Sequence, residues 1–91
     1  MDANAKITVK GIVQGVGYRW FADRWARKYD MKGFVENLPD GSVFLEVEGE
    51  RGLIEELIKE LRIGPRSSVI DDVIVEWGKP HHLFLGFKIK A

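Results

Sequence analysis

The order in which two periodicities alternate along this chain constrains its fold more than any other feature. Side chains repeat every second residue where one face of a strand is buried, and about every 3.6 residues along a helix. Ile7 and Val9 alternate with Lys6, Thr8 and Lys10, so residues 6–13 read as a strand. From about Arg19 to Tyr29, Phe21, Ala22, Trp25, Ala26 and Tyr29 share one helical face, opposite Asp23, Arg24, Arg27 and Lys28. Gly33 to Asn37 is a second, short strand. The turn formers NLPDGS at 37–42 join it to a third, in which Val43, Leu45 and Val47 alternate with Phe44, Glu46 and Glu48 until Gly49. Leu53, Ile54, Leu57, Ile58 and Leu61 stripe a second helix, where Glu55 stands four residues before Lys59 as a favourable pair; Gly64-Pro65 ends it. Val73, Val75 and Trp77 mark a fourth strand and Leu85, Phe87 and Ile89 a fifth, with GKPHHL between them.

This order, β-α-β-β-α-β with one extra C-terminal strand, predicts an α+β sandwich of the ferredoxin-like type. Each helix has a single apolar stripe, so both should cover one face of an antiparallel sheet, leaving the other at least partly wet. Ninety-one residues suffice for one domain, 1–91, with a single core. No apolar run approaches the roughly 20 residues of a membrane span, and the first residues lack the pattern of a signal peptide. Without cysteine there is no disulfide, thiolate metal site or thiol nucleophile. A cytoplasmic protein with no membrane partner is expected. Fourteen basic residues balance fourteen acidic ones, so the broad basic footprint of a nucleic-acid binder is missing.

The stretch GIVQGVGYRW, residues 11–20, joins the first strand to the first helix. The first N–H groups of a helix have no internal acceptor, and the helix dipole concentrates positive potential there. Glycines let successive N–H groups converge into a nest for an anion. That same dipole disfavours an arginine in the first turn, so Arg19 is misplaced unless an anion lies between it and the amides. A phosphate-sized ligand resolves the conflict. The stretch is neither a dinucleotide fingerprint, which would need glycine at Trp20, nor a Walker loop, which would end in Gly-Lys-Ser/Thr.

GIVQGVGYR resembles the first signature of the acylphosphatase family, G-x-V-Q-G-V-G-[FY]-R, at every fixed position. GFVENLPDGSVFLEVEG, residues 33–49, is similar to the second, with Gly33, Val35, Asn37, Gly41, Val43 and Gly49 in place. The resemblance implies hydrolysis of acyl phosphates, such as acetyl phosphate, carbamoyl phosphate or 1,3-bisphosphoglycerate, to a carboxylate and inorganic phosphate. It implies a phosphate cradle of Gly15, Val16, Gly17, Tyr18 and Arg19, with Arg19 and Asn37 catalytic and Asn37 orienting the attacking water. It further implies no metal, no cofactor and no covalent phosphoenzyme. The same motif occurs within larger hydrogenase-maturation proteins.

The chemistry is sound on its own terms. Phosphoryl transfer through a loose transition state needs mainly positioning and charge stabilisation, which convergent amides and a forked guanidinium supply. The leaving carboxylate, with a conjugate acid of pKa about 4 to 5, departs without a general acid. The proton of the attacking water goes to the substrate's phosphate oxygens or to a carboxylate brought near by the fold. Three departures from the family pattern stand out. Glu36 replaces a basic or neutral residue but should point away from Asn37, and Leu38 and Pro39 replace small polar residues and should tune rate.

Other candidates are weaker. His81 and His82 should form a surface turn with no local acidic partner; Asp71 and Asp72 should lie on opposite faces of a strand; Trp20, Trp25 and Trp77 should belong to the core or its edge. An RNA-recognition sheet needs aromatics on its open face, where Phe44 stands between Lys6, Thr8 and Lys10 and the acids Glu46 and Glu48. The competing function is a non-catalytic anion-binding or regulatory module of the same fold.

Overall fold

In a computed structural model, which describes residues 1–91, the small residues at the start of the chain extend the first strand: β1 is Asp2–Ile12, with Ala3 and Ala5 buried beside Ile7 and Val9. Helix α1 (Tyr18–Lys28) leads to β2 (Lys32–Asn37), whose hairpin returns as β3 (Val43–Glu50). Helix α2 (Arg51–Ile63), capped by the Glu50 carboxylate accepting from the Leu53 N–H, leads to β4 (Val69–Gly78) and β5 (Phe87–Ile89). The sheet order is β4-β1-β3-β2-β5. β3 pairs antiparallel with both β1 and β2, so β1 and β2 run parallel with β3 between them, as the split βαβ pattern requires. The protein has the ferredoxin-like α+β fold.

Alternation sends Ala5, Ile7, Val9, Val35, Val43, Leu45 and Val47 to one face, where they meet Tyr18, Ala22 and Ala26 of α1 and Ile54, Leu57 and Leu61 of α2. Both helices thus cover the same face, as expected. Tyr18, which the apolar pattern did not include, is fully buried and ties the helices by donating to the Leu61 carbonyl at 2.7 Å.

Several expectations are corrected. The sheet is mixed, not wholly antiparallel: β4 and β5 lie at opposite edges, and the chain between them crosses the sheet so that β5 pairs parallel with β2. β5 is shorter than the alternation of Leu85, Phe87 and Ile89 implied, with Leu85 fully exposed before it. β4 begins four residues earlier than its valines suggest. As an edge strand it buries little, and a bulge opposite Lys10 and Gly11 leaves both Asp71 and Asp72 exposed. Lys59 pairs with Glu56 at 3.0 Å, one residue nearer than the expected Glu55. Trp25 packs against the core, but Trp20 is exposed, and so is Trp77, whose ring is covered by the Arg51 guanidinium and not by the core.

The outer face of the sheet is partly covered. The chain after β4 runs over it, and there Phe84 packs against Phe34 and His81. His81 and His82 are not an isolated turn. Their backbone N–H groups donate to Glu48 at 2.8 and 3.0 Å, and His81 Nε2 lies 3.1 Å from Glu46 Oε2. Asn4 Nδ2 donates to both carboxylates at 2.8 Å. The Leu83 N–H donates to His81 Nδ1, which places the proton of the neutral ring on Nε2, facing Glu46. The acidic partners come from alternate positions of β3, more than 30 residues away, and were invisible from the local sequence.

Burial pushes the Glu48 carboxyl up, but the donors from Asn4, His81 and His82 outweigh it and hold the group below its ordinary value. A carboxyl with a lowered folded pKa stabilises the fold above its unfolded value and loses that contribution as pH falls through the folded one. Glu48→Gln is therefore expected to lower the urea midpoint at pH 7, with the gap to wild type closing as pH falls below about 4.5, the ordinary value. Urea titrations between pH 7 and pH 3 measure this; a gap that stays constant would contradict it.

Candidate active site

β1 ends at Ile12 and gives way to a loop whose backbone alternates in sign: Gly15 has φ +75° and Gly17 has φ +78°. Gly17 is the N-cap of α1 in the left-handed conformation, where a Cβ would be strained. No side chain caps this helix and its first turn holds no acid. The first intrahelical bond is from Phe21 N to the Gly17 carbonyl, so the N–H groups of Tyr18, Arg19 and Trp20 have no acceptor within the helix. Arg19 projects from this turn, and its Nη1 donates to the Lys90 carbonyl at 2.7 Å. That bond orients the guanidinium without neutralising it.

Asn37, at the end of β2, is brought to the same place. Gly15, Gly17, Arg19 and Asn37 line one cleft of about 230 Å³, together with Val13, Tyr18, Trp20 and Ile89. Such a volume, below the roughly 300–1,000 Å³ of drug-sized sites, suits a small ligand. Asn37 Oδ1 is buried and has no hydrogen-bond donor in the protein. Val16 turns its side chain to the core, and the Tyr18 hydroxyl is committed to Leu61, its pKa pushed well up by burial. Both can serve the cleft through backbone N–H groups. Glu36 does not line the cleft, as strand alternation implied. The lining holds no carboxylate, histidine, serine or cysteine.

Gln14 holds the loop against the hairpin, a role that sequence reasoning missed although the residue lies inside the first motif. Its Nε2 donates to the Leu38 and Ser42 carbonyls at 2.8 and 2.9 Å. Asp40 in turn accepts from the Ser42 N–H, fixing the turn just after Asn37. Both carbonyls also accept backbone N–H groups, from Gly41 and Leu38 respectively. Removing Gln14 therefore orphans neither, and Gln14→Ala should cost only about 1 kcal/mol of stability. Because it loosens the loop relative to Asn37, kcat/KM should fall by about tenfold or more, as small misplacements in a catalytic site do. Steady-state kinetics beside thermal melts would separate the two effects.

The acylphosphatase family model matches residues 5–89. The chain belongs to the acylphosphatase family. An acylphosphatase of Salinibacter ruber is 44% identical over 87 residues, covering 96% of this chain and 90% of its own. The crystal structure of acylphosphatase from Bacillus subtilis superposes with a TM-score of 0.94 at 29% identity, covering 98% of this chain and 99% of that one. HypF of T. kodakarensis matches at a TM-score of 0.84 and 35% identity, covering 99% of this chain but 12% of its own. This acylphosphatase is an enzyme that hydrolyses acyl phosphates, and the reading as a non-catalytic anion module is not favoured. No helix is long and apolar enough to cross a membrane.

Proposed function

We propose that Arg19 and Asn37 are the catalytic residues, that the N–H groups of Gly15 to Arg19 hold the phosphoryl group, and that water attacks phosphorus directly. The observation that carries this reading is the orphaned Asn37 Oδ1, a buried acceptor in the cleft that holds the cradle and Arg19. A water donating to Oδ1 satisfies it and turns a lone pair towards a phosphoryl group held on the amides. As the new P–O bond forms, the bond to the acyl oxygen breaks and the carboxylate leaves as an anion. With no carboxylate or histidine in the lining, the water's proton passes to a phosphoryl oxygen of the substrate. The products are the carboxylate and dihydrogen phosphate, and no protein acid is needed because the leaving group is weakly basic. No metal is required: Arg19 and the amides stabilise the charge on the equatorial oxygens.

Hydrolysis of benzoyl phosphate in ¹⁸O-water with EDTA present tests this mechanism. One labelled oxygen should appear in phosphate and none in benzoate. Label in benzoate would mean attack at the carbonyl carbon, and loss of turnover with EDTA would mean that a metal is needed; either outcome overturns the proposal.

A further inference from the structure

Within the proposed phosphate site, on which this step rests, the lining contains two exposed apolar side chains that no contact in the fold explains. Trp20 is 68% exposed and Ile89 is 37% exposed. Trp20 directly follows Arg19 on α1, whereas Ile89 ends β5, and they share the cleft only because β5 lies beside β2. The remaining apolar residues of the lining, Val13 and Tyr18, are buried in the core. The aromatic contacts of α1 run from Tyr18 through Phe21 and Trp25 to Tyr29 and leave Trp20 out, and the cation over this helix, Lys28, sits on Trp25. An isolated exposed apolar residue needs no explanation, but two from distant parts of the chain beside one anion cradle form a surface.

We infer that Trp20 and Ile89 form an apolar platform for the acyl group, so that this enzyme favours acyl phosphates with an aromatic or bulky apolar acyl group over acetyl phosphate. The phosphoryl end of the substrate is fixed on the amides and Arg19. Its acyl end must extend from there along the cleft, and the apolar surface available to it is the indole and the isoleucine. Neither residue offers a hydrogen bond to an acyl chain through its aliphatic or ring carbon surface, so the gain comes from apolar burial and ring contact.

The test is kcat/KM for benzoyl phosphate and acetyl phosphate, with inhibition by inorganic phosphate, for wild type, Trp20→Ala, Trp20→Phe and Arg19→Ala. An aromatic pair gains from ring contact as well as from area burial. Trp20→Ala should therefore lower kcat/KM for benzoyl phosphate about tenfold, chiefly through KM, and leave acetyl phosphate and phosphate inhibition within about twofold. Trp20→Phe should recover most of the loss. An equal fall for both substrates, meaning that Trp20 only supports the cradle, overturns the platform, as does no change for either. Phosphate inhibition undiminished in Arg19→Ala would instead overturn the underlying site.

Discussion

Replacing Arg19 with alanine is expected to lower kcat/KM for benzoyl phosphate by roughly two to three orders of magnitude, the usual cost of removing a preorganised charge-stabilising donor. Phosphate inhibition should weaken in parallel, because the role proposed for the guanidinium begins with binding the phosphoryl group. The fold should hardly respond. Arg19's bond within the protein, to the Lys90 carbonyl, is exposed, and its loss should cost no more than about 1 kcal/mol. Lysine at this position retains the charge but not the planar fork, so Arg19→Lys should remain well below wild type. A stable Arg19→Ala variant that binds phosphate as wild type does would remove the guanidinium from the site.

Asn37→Ala should behave differently. Turnover should fall by about two orders of magnitude, a loss of the size expected for one positioned polar group, while inorganic phosphate continues to inhibit. Stability supplies an independent signature. Asn37 Oδ1 accepts no donor from the protein, so its deletion breaks no bond within the fold and stability should stay close to wild type. A structural turn asparagine would show the reverse, with lost stability and retained turnover. Paired denaturation and kinetic measurements on one preparation decide between them.

The parts of this protein that could be read from sequence are those governed by local chemistry. Alternation in β1 and β3 and the stripes of α1 and α2 point to the core because each element buries one face. The proposed cradle is contiguous, so Gly15, Gly17 and Arg19 stand out within five residues, and the parallel course of β1 and β2 accounts for Asn37 lining the same cleft. What could not be read depends on residues far apart. Ile89 looks like an ordinary alternating strand residue, and its place in the cleft depends on which edge β5 joins. Glu46, Glu48 and His81 look unrelated until the chain crosses the outer face. Trp20 looks like core because it is large and apolar, yet helical spacing sets it on the face of Asp23, Arg24 and Arg27, opposite the stripe, and there it is exposed.

The bond from Arg19 to the Lys90 carbonyl, spanning 71 positions, has a bearing on how the protein is made. A chain emerging from the ribosome presents the glycine loop and α1 before β3, β4 and β5, the strands that complete the sheet beneath them, have been made. Arg19 then has no backbone acceptor to orient it until Lys90 has been synthesised and β5 has docked beside β2. Non-local contacts of this kind form late, since they close the longest loops. Orientation of the Arg19 guanidinium therefore waits on the docking of β5, and a chain that has not yet made Lys90 carries an arginine still free to swing.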